Sequence, residues 1–328
     1  ACFACFFGKA VFSMYPEIYM DILNKCNARC KYCLTGQANR TGYSSRFPAY
    51  YMDVPTFDRL ARHMLDHQIM TPDALFHIYN WYEPTLNPHL AGILNYMREH
   101  GLRVDMSTNA GRCMDFSGLG DCGHMESILF SMPGFSQSSY DRIHGFDFEQ
   151  VKQNIRTTMK ELRQRGFKGD AYINFHLYQF NLGEIYGAKA FADSVGLRLH
   201  SIFAYFNGSG EFEPYLRGTL SAEEMKDATR EIFFGHLYEL ERHAEKYLEQ
   251  FVEPESITLS EFCNVIPGRG CNDESKVCSI FDLHSYEEVK AVYNSLAAKR
   301  GNDPIYRQIH LWAHSYKLSM NHLFGIPD

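Results

Sequence analysis

The 328-residue chain reads as α/β: a partial (β/α)6 parallel barrel with a smaller, mainly helical C-terminal region carrying a Cys-rich loop. Three observations predict this. Six short apolar runs between Tyr19 and Ala204 alternate with stretches of helical periodicity, as right-handed βαβ units require. Six such units in about 190 residues fall short of a closed eight-fold barrel. The rhythm then breaks at Gly208-Ser209-Gly210, and Ser221 opens a long helical stretch to about Phe251.

Taken in order, Tyr19 to Leu23 reads as the first strand, with a cysteine-bearing loop after it. Pro55 in a first turn, then Phe57, Leu60, Ala61, Met64 and Leu65, predict a helix from Val54. Ala74 to Tyr79 is the second strand, and Pro88 to His100 a helix stopped by Gly101. Leu102 to Ser107 is the third strand. An irregular loop with Cys113 and Cys122 leads to the fourth, Ser127 to Met132. A long helix, Phe148 to Arg165, stops at Gly166; Ala171 to Leu177, a helix from Gly183 to Ser194, and Leu197 to Ala204 complete the series. Ser221 with Glu224 fits a capping box. The division expected is an arm (1–14), a barrel (15–210) and a C-terminal region (211–328) with Cys263, Cys271 and Cys278 in a Gly- and Pro-containing loop.

Apolar residues at 45% and charged residues at 22% are ordinary for a soluble globular protein. A net charge of −7 gives no general field for nucleic acid or anionic membrane, and no run of Lys and Arg advertises a basic patch. No apolar stretch of about 18 residues is present, so no transmembrane helix is predicted. The first nine residues lack a basic leader and a cleavage pattern. Ten cysteines, grouped wrongly for a disulfide framework, fit reduced thiols serving metal or catalysis in a cytoplasmic protein.

Cys26, Cys30 and Cys33 form C-x3-C-x2-C directly after the first strand. Three thiolates so spaced can hold three irons of a four-iron cluster and leave the fourth open. Two other readings fit the spacing: a zinc site with a distant fourth ligand, or three buried thiols on one helical face, since i, i+4 and i+7 share one.

The segment Ile22 to Cys33, with Tyr32 before the last cysteine, resembles the signature of the radical S-adenosylmethionine (radical SAM) superfamily. Tyr79-Asn80-Trp81-Tyr82-Glu83-Pro84 is similar to that family's Gly-Gly-Glu-Pro motif but departs from it at both glycines. Met106-Ser107-Thr108-Asn109 looks like its ribose-contacting segment, and Phe130 to Gly134 with Tyr140 to Gly145 looks like its fourth-strand region. The resemblance covers about residues 15–205 and implies a [4Fe-4S] cluster on the three cysteines, with SAM on the open iron. It implies roles for Glu83 at the SAM amino group, Ser107, Asn109 and Ser131 near the ribose, Tyr32 on adenine, and Arg142 at the SAM carboxylate. An external one-electron reductant of flavodoxin or ferredoxin type is implied as partner.

Cys263, Cys271 and Cys278 resemble the opening of the family's SPASM or twitch auxiliary-cluster region and imply a second [4Fe-4S] cluster. No Cys follows Cys278 to complete it, so a fourth ligand must come from elsewhere, Cys2 and Cys5 among the candidates. Cys113, Cys122 and Cys271 are candidate hydrogen donors to a substrate radical. His310 and His314 share a helical face, read as a stacked or solvent-facing pair. The expected reaction is hydrogen abstraction from a small polar substrate (sugar, aminosugar or nucleoside), ending in epimerisation or dehydrogenation. The short segment before the first strand favours this over modification of a ribosomally made peptide. A non-catalytic Fe–S or zinc-binding protein is the alternative of another class.

Overall fold

The computed structural model describes residues 14–204, 231–232, 256–266, 278–301 and 311. Cys2, Cys5, Cys271, His310, His314 and nearly all of the helix expected over 221–251 lie outside the described residues. The elements are β1 (Tyr15–Met20), α1 (Leu34–Arg40), α2 (Val54–Asp66), β2 (Met70–His77), α3 (Leu90–Glu99), β3 (Arg103–Thr108), β4 (Met125–Met132), α4 (Gln137–Arg142), α5 (Phe148–Gln164), β5 (Asp170–Leu177), α6 (Ile185–Val195), β6 (Arg198–Phe203), β7 (Ser256–Leu259), β8 (Asn264–Val265), β9 (Cys278–Ser279) and α7 (Tyr286–Gly301).

The predicted α/β class and six parallel strands hold. The sheet runs β6-β5-β4-β3-β2-β1-β7-β8-β9. Helix boundaries follow local chemistry: Asp53 caps α2, its Oδ1 accepting from the Thr56 N–H at 2.9 Å, and Asp147 caps α5 in the same way at 2.7 Å.

One expectation is corrected. The first strand covers Tyr15–Met20 rather than Tyr19 to Leu23, because the ladder to β2 and β7 starts at Tyr15 and ends at Met20. Leu23 is left with an isolated bridge to Tyr51. The described part of the C-terminal region also carries three short strands that the sequence does not announce. β7 pairs parallel with β1, from Glu17 opposite Ser256 to Met20 opposite Leu259, and leads into the antiparallel β8 and β9. Strands of four and two residues are too short to show a period in sequence.

Alternation along the strands divides the sheet into two faces. Phe76 of β2 packs on Phe57 of α2, ring centroids 5.3 Å apart, and Ile18, Met20, Val104, Met106, Ile128 and Phe130 are likewise fully buried. Burying each such side chain contributes about 1.5–3 kcal/mol. The other face carries Glu17, Tyr19, His77, Asp105, Ser107, Ser127 and Ser131. Register sets four of these in one row across four strands: Tyr19 opposite His77, His77 opposite Asp105, Asp105 opposite Ser127. The inner face of the partial barrel is therefore polar.

Candidate active site

Residues 25–30 have no regular structure, and Cys33 is the N-cap of α1. The reading of three thiols on one helical face is thereby overturned. Backbone contacts hold the loop on all sides. The Glu83 N–H donates to the Lys25 carbonyl (3.1 Å), Asn39 Nδ2 to the carbonyls of Cys26 (2.8 Å) and Ala28 (2.7 Å), the Arg29 N–H to the His144 carbonyl (3.0 Å), and Arg40 Nε to the Arg29 carbonyl (2.5 Å). Gly36 lets α1 press against the loop: a Cβ there would lie 2.2 Å from the Cys30 carbonyl oxygen.

With the carbonyls so occupied, the three thiols share one environment. Burial pushes Cys26 up to about 12, with the charges of Glu83 and Cys33 adding to it. Burial likewise raises Cys30 well above the usual thiol range, followed by the effects of Cys33 and Cys26. Among the described residues no group of three His, Cys, Asp or Glu side chains is arranged to hold a metal ion. A zinc ion needs its sulfurs about 2.3 Å from one point. Among the described residues the three thiols are not gathered in that way.

The loop after β2 is held by a single carboxylate. Asp21, just past β1, accepts the N–H groups of Asn80 (3.0 Å), Trp81 (3.1 Å) and Tyr82 (3.2 Å). Glu83 is fully buried and bonded within the protein. Oε1 accepts the hydroxyls of Thr85 (2.6 Å) and Thr108 (2.7 Å), and Oε2 accepts the Asn109 N–H (2.8 Å). Burial raises its carboxyl above the usual range despite these donors. Glu83 thus ties the β2 loop to the end of β3. Asn109 continues the tie, Nδ2 reaching Asn27 Oδ1 at 2.9 Å and Cys26 Sγ at 3.7 Å.

Arg142 and Tyr32 share a partner that sequence gave no hint of. Glu231 accepts from Arg142 Nε (2.7 Å), from Lys31 Nζ (2.9 Å) and from the Tyr32 hydroxyl. Burial would raise this carboxyl, but the three donors hold it below the usual range. Arg142 also lies over the Phe180 ring, 4.2 Å from its centroid.

Ser107 and Ser131 stand on the inner face, toward the C-terminal ends of β3 and β4. Below them His77 Nδ1 is 2.7 Å from Asp105 Oδ2, which also accepts the Tyr79 hydroxyl at 2.8 Å; Ser127 donates to Asp105 Oδ1. The Tyr19 ring stacks on His77 at 4.0 Å. Among the described residues, several buried polar atoms have no hydrogen-bond partner: both amide atoms of Asn80, Trp81 Nε1, Asn174 Oδ1 and His77 Nε2.

The remaining cysteines divide. Cys113 is half-buried in the loop after β3. Cys122 is buried just before β4 begins, its N–H donating to the Arg165 carbonyl beyond α5. That is the N-terminal edge of the sheet, away from the strand ends where the cysteine loop stands. Cys263 and Cys278 are brought onto one small hairpin: Cys278 pairs with Val265, and the Ile280 N–H donates to the Cys263 carbonyl at 2.9 Å.

No protein-family model and no curated protein matches the sequence. Solved structures do match the fold. Streptococcus suis SuiB bound to S-adenosylmethionine overlaps 91% of this chain and 68% of its own, with TM-score 0.56 and 14% identity. SuiB bound to precursor peptide SuiA overlaps 91% and 67%, at 0.56 and 12%. Native anSMEcpe with bound AdoMet and Cp18Cys peptide overlaps 88% and 83%, at 0.54 and 12%. The chain therefore shares the α/β fold of these structures.

Proposed function

We propose that the chain is a radical SAM enzyme. Cys26, Cys30 and Cys33 would hold a [4Fe-4S] cluster, and the strand ends beside them would receive SAM. The observation that carries this is that three half-buried cysteines stand on one loop pinned by Glu83, Asn39 and Asn109. When bound, the two groups supply reductive cleavage of SAM and a 5′-deoxyadenosyl radical that takes a hydrogen atom from substrate. The chain's own part is to position. Glu83 and Asp21 fix the loop after β2, Asn109 braces Cys26, and the inner-face row offers hydrogen bonds to a polar substrate.

That row supports hydrogen abstraction from a hydroxylated or amino-bearing small molecule, with epimerisation or dehydrogenation as outcome. Modification of a peptide is the second reading, supported by the peptide-bound state of SuiB and anSMEcpe, which overlap most of this chain. The hairpin bearing Cys263 and Cys278 supports a second cluster completed by ligands beyond it.

The test is anaerobic loading with iron and sulfide, then SAM and reductant. About four irons per chain are expected for one cluster and about eight for two, with 5′-deoxyadenosine formed. If none forms while Cys26→Ala leaves the iron content unchanged, the reading fails. In deuterated water, solvent deuterium in the product supports a thiol hydrogen donor, and loss of two hydrogens supports dehydrogenation.

A further inference from the structure

We propose that the exposed face built by residues 25–51, beside the cysteine loop, docks an acidic electron-carrier protein; this rests on the radical SAM reading above. From Ile22 to Met52 the chain has no Asp or Glu and five cations, Lys25, Arg29, Lys31, Arg40 and Arg46, although its net charge is −7. The cations are too widely spaced to show as a run, so the local sign reversal appears only once the segment is folded onto one side of the cysteine loop.

Arg29, Arg40 and Arg46 are exposed, and among the described residues no carboxylate lies within ion-pair distance of them. The same segment also exposes large apolar side chains, Tyr43 and Phe47 at 51% each, and Phe262, beside Tyr50, is 52% exposed. Tyr43 and Phe47 meet edge to face at 5.2 Å, and the Arg46 guanidinium lies 5.6 Å from the Tyr43 ring. An aromatic centre with a charged rim is the make-up of a protein interface. Its positive sign selects a partner with surface carboxylates and speeds their encounter.

The location selects the kind of partner. Lys25, the residue before Cys26, donates from Nζ to the carbonyls of Ser44 (2.9 Å) and Phe47 (3.0 Å), so the aromatic turn is built directly on the cysteine loop. Further along, the Asn24 N–H donates to the Tyr50 carbonyl and the Met52 N–H to the Ile22 carbonyl. The face therefore stands outside the barrel, one lysine side chain from where an electron must arrive, whereas a substrate must reach the polar inner face. One electron passes from the reduced carrier to the cluster; the carrier leaves one-electron oxidised, and no bond forms or breaks.

The test uses the cluster-loaded protein with reduced flavodoxin as the acidic probe and the methyl viologen radical cation as a small reductant of opposite charge. Arg46→Glu and Phe47→Ala are the variants, since neither residue touches a cysteine. Flavodoxin-driven reduction is expected to slow about tenfold in Arg46→Glu, and severalfold in the wild type between about 50 and 300 mM salt. Viologen rates should be unchanged, which also shows that the variants are folded and loaded. Flavodoxin rates within about twofold of wild type in both variants would overturn the proposal. So would a variant that loses only its affinity for a Glu-rich peptide, which would make the face a peptide dock. If the wild type takes up no iron, the radical SAM reading itself falls and this one with it; a loaded cluster reduced by viologen but indifferent to Arg46 removes this proposal alone.

Discussion

His77 and Asp105 face each other across β2 and β3, with Nδ1 2.7 Å from Oδ2. On the other side of the ring, Nε2 has no hydrogen-bond partner among the described residues and lies 3.6 Å from Glu17 Oε2. The imidazole thus stands between two carboxylates on the inner face.

Burial works to raise the Asp105 carboxyl, but the bonds from His77, Ser127 and Tyr79 outweigh it and hold the group below the usual carboxylate range. A depressed carboxyl stabilises the fold above its unfolded pKa of 3.8, and the contribution is lost as pH falls through the lower folded value. Asp105→Asn should therefore cost about 1–3 kcal/mol at neutral pH and much less near pH 3. Urea unfolding at both pH values measures this, and an equal loss at the two would contradict it.

Asp21 has the opposite sign. Burial, with the Glu261 charge adding to it, pushes its carboxyl from 3.8 up to about 7 although three backbone N–H groups pull the other way. A raised carboxyl contributes stability below its unfolded value that is lost as pH rises through about 7. Wild-type stability should fall between these values by up to about 1.4 kcal/mol per pH unit from this group, and Asp21→Asn should flatten that slope. Denaturant midpoints at a few pH values across the window decide it.

Gly36 offers a test of the loop that needs no substrate. A Cβ would lie 2.2 Å from the Cys30 oxygen and 2.5 Å from its nitrogen, both backbone atoms that cannot rotate away. Gly36→Ala is expected to cost about 1–3 kcal/mol through overpacking and to lower iron uptake. Melting temperature and iron content per chain report the two effects separately. Full iron uptake with wild-type melting would show that the loop does not depend on this contact.

The cysteine loop, the β2 loop and the Ser-Thr-Asn segment were legible because each is a short run fixed to a strand end. The helices were legible from their period and caps. What was hidden depends on pairing between distant segments. That Tyr19, His77, Asp105 and Ser127 share a row follows from strand register and stagger, which no single strand carries. Asp21 is one acidic residue after a strand, and only the folded β2 loop shows that it holds three backbone N–H groups. Glu231 lies 199 residues from Tyr32 in the chain, with nothing local to mark it. β7 was missed because four residues show no period.

Arg142 illustrates what such a distant contact changes. The sequence resemblance gives its guanidinium a ligand carboxylate, and the structure gives it the carboxylate of Glu231, with Nε and a terminal nitrogen at 2.7 and 2.6 Å. A guanidinium fork engaged by one carboxylate is not free to grip another in the same way. If Arg142 also serves the SAM carboxylate, Glu231 would compete with the cofactor for it. Glu231→Gln removes the charge but keeps the shape, so Lys31 and Arg142 lose their anionic partner while the Tyr32 hydroxyl keeps an acceptor. SAM should then bind several times more tightly, and Arg142→Ala should weaken it. Calorimetric titration of SAM into the cluster-loaded protein measures both. If Glu231→Gln weakens binding as much as Arg142→Ala does, the carboxylate braces the guanidinium instead of competing for it. An unchanged affinity in both variants would take Arg142 out of the cofactor site.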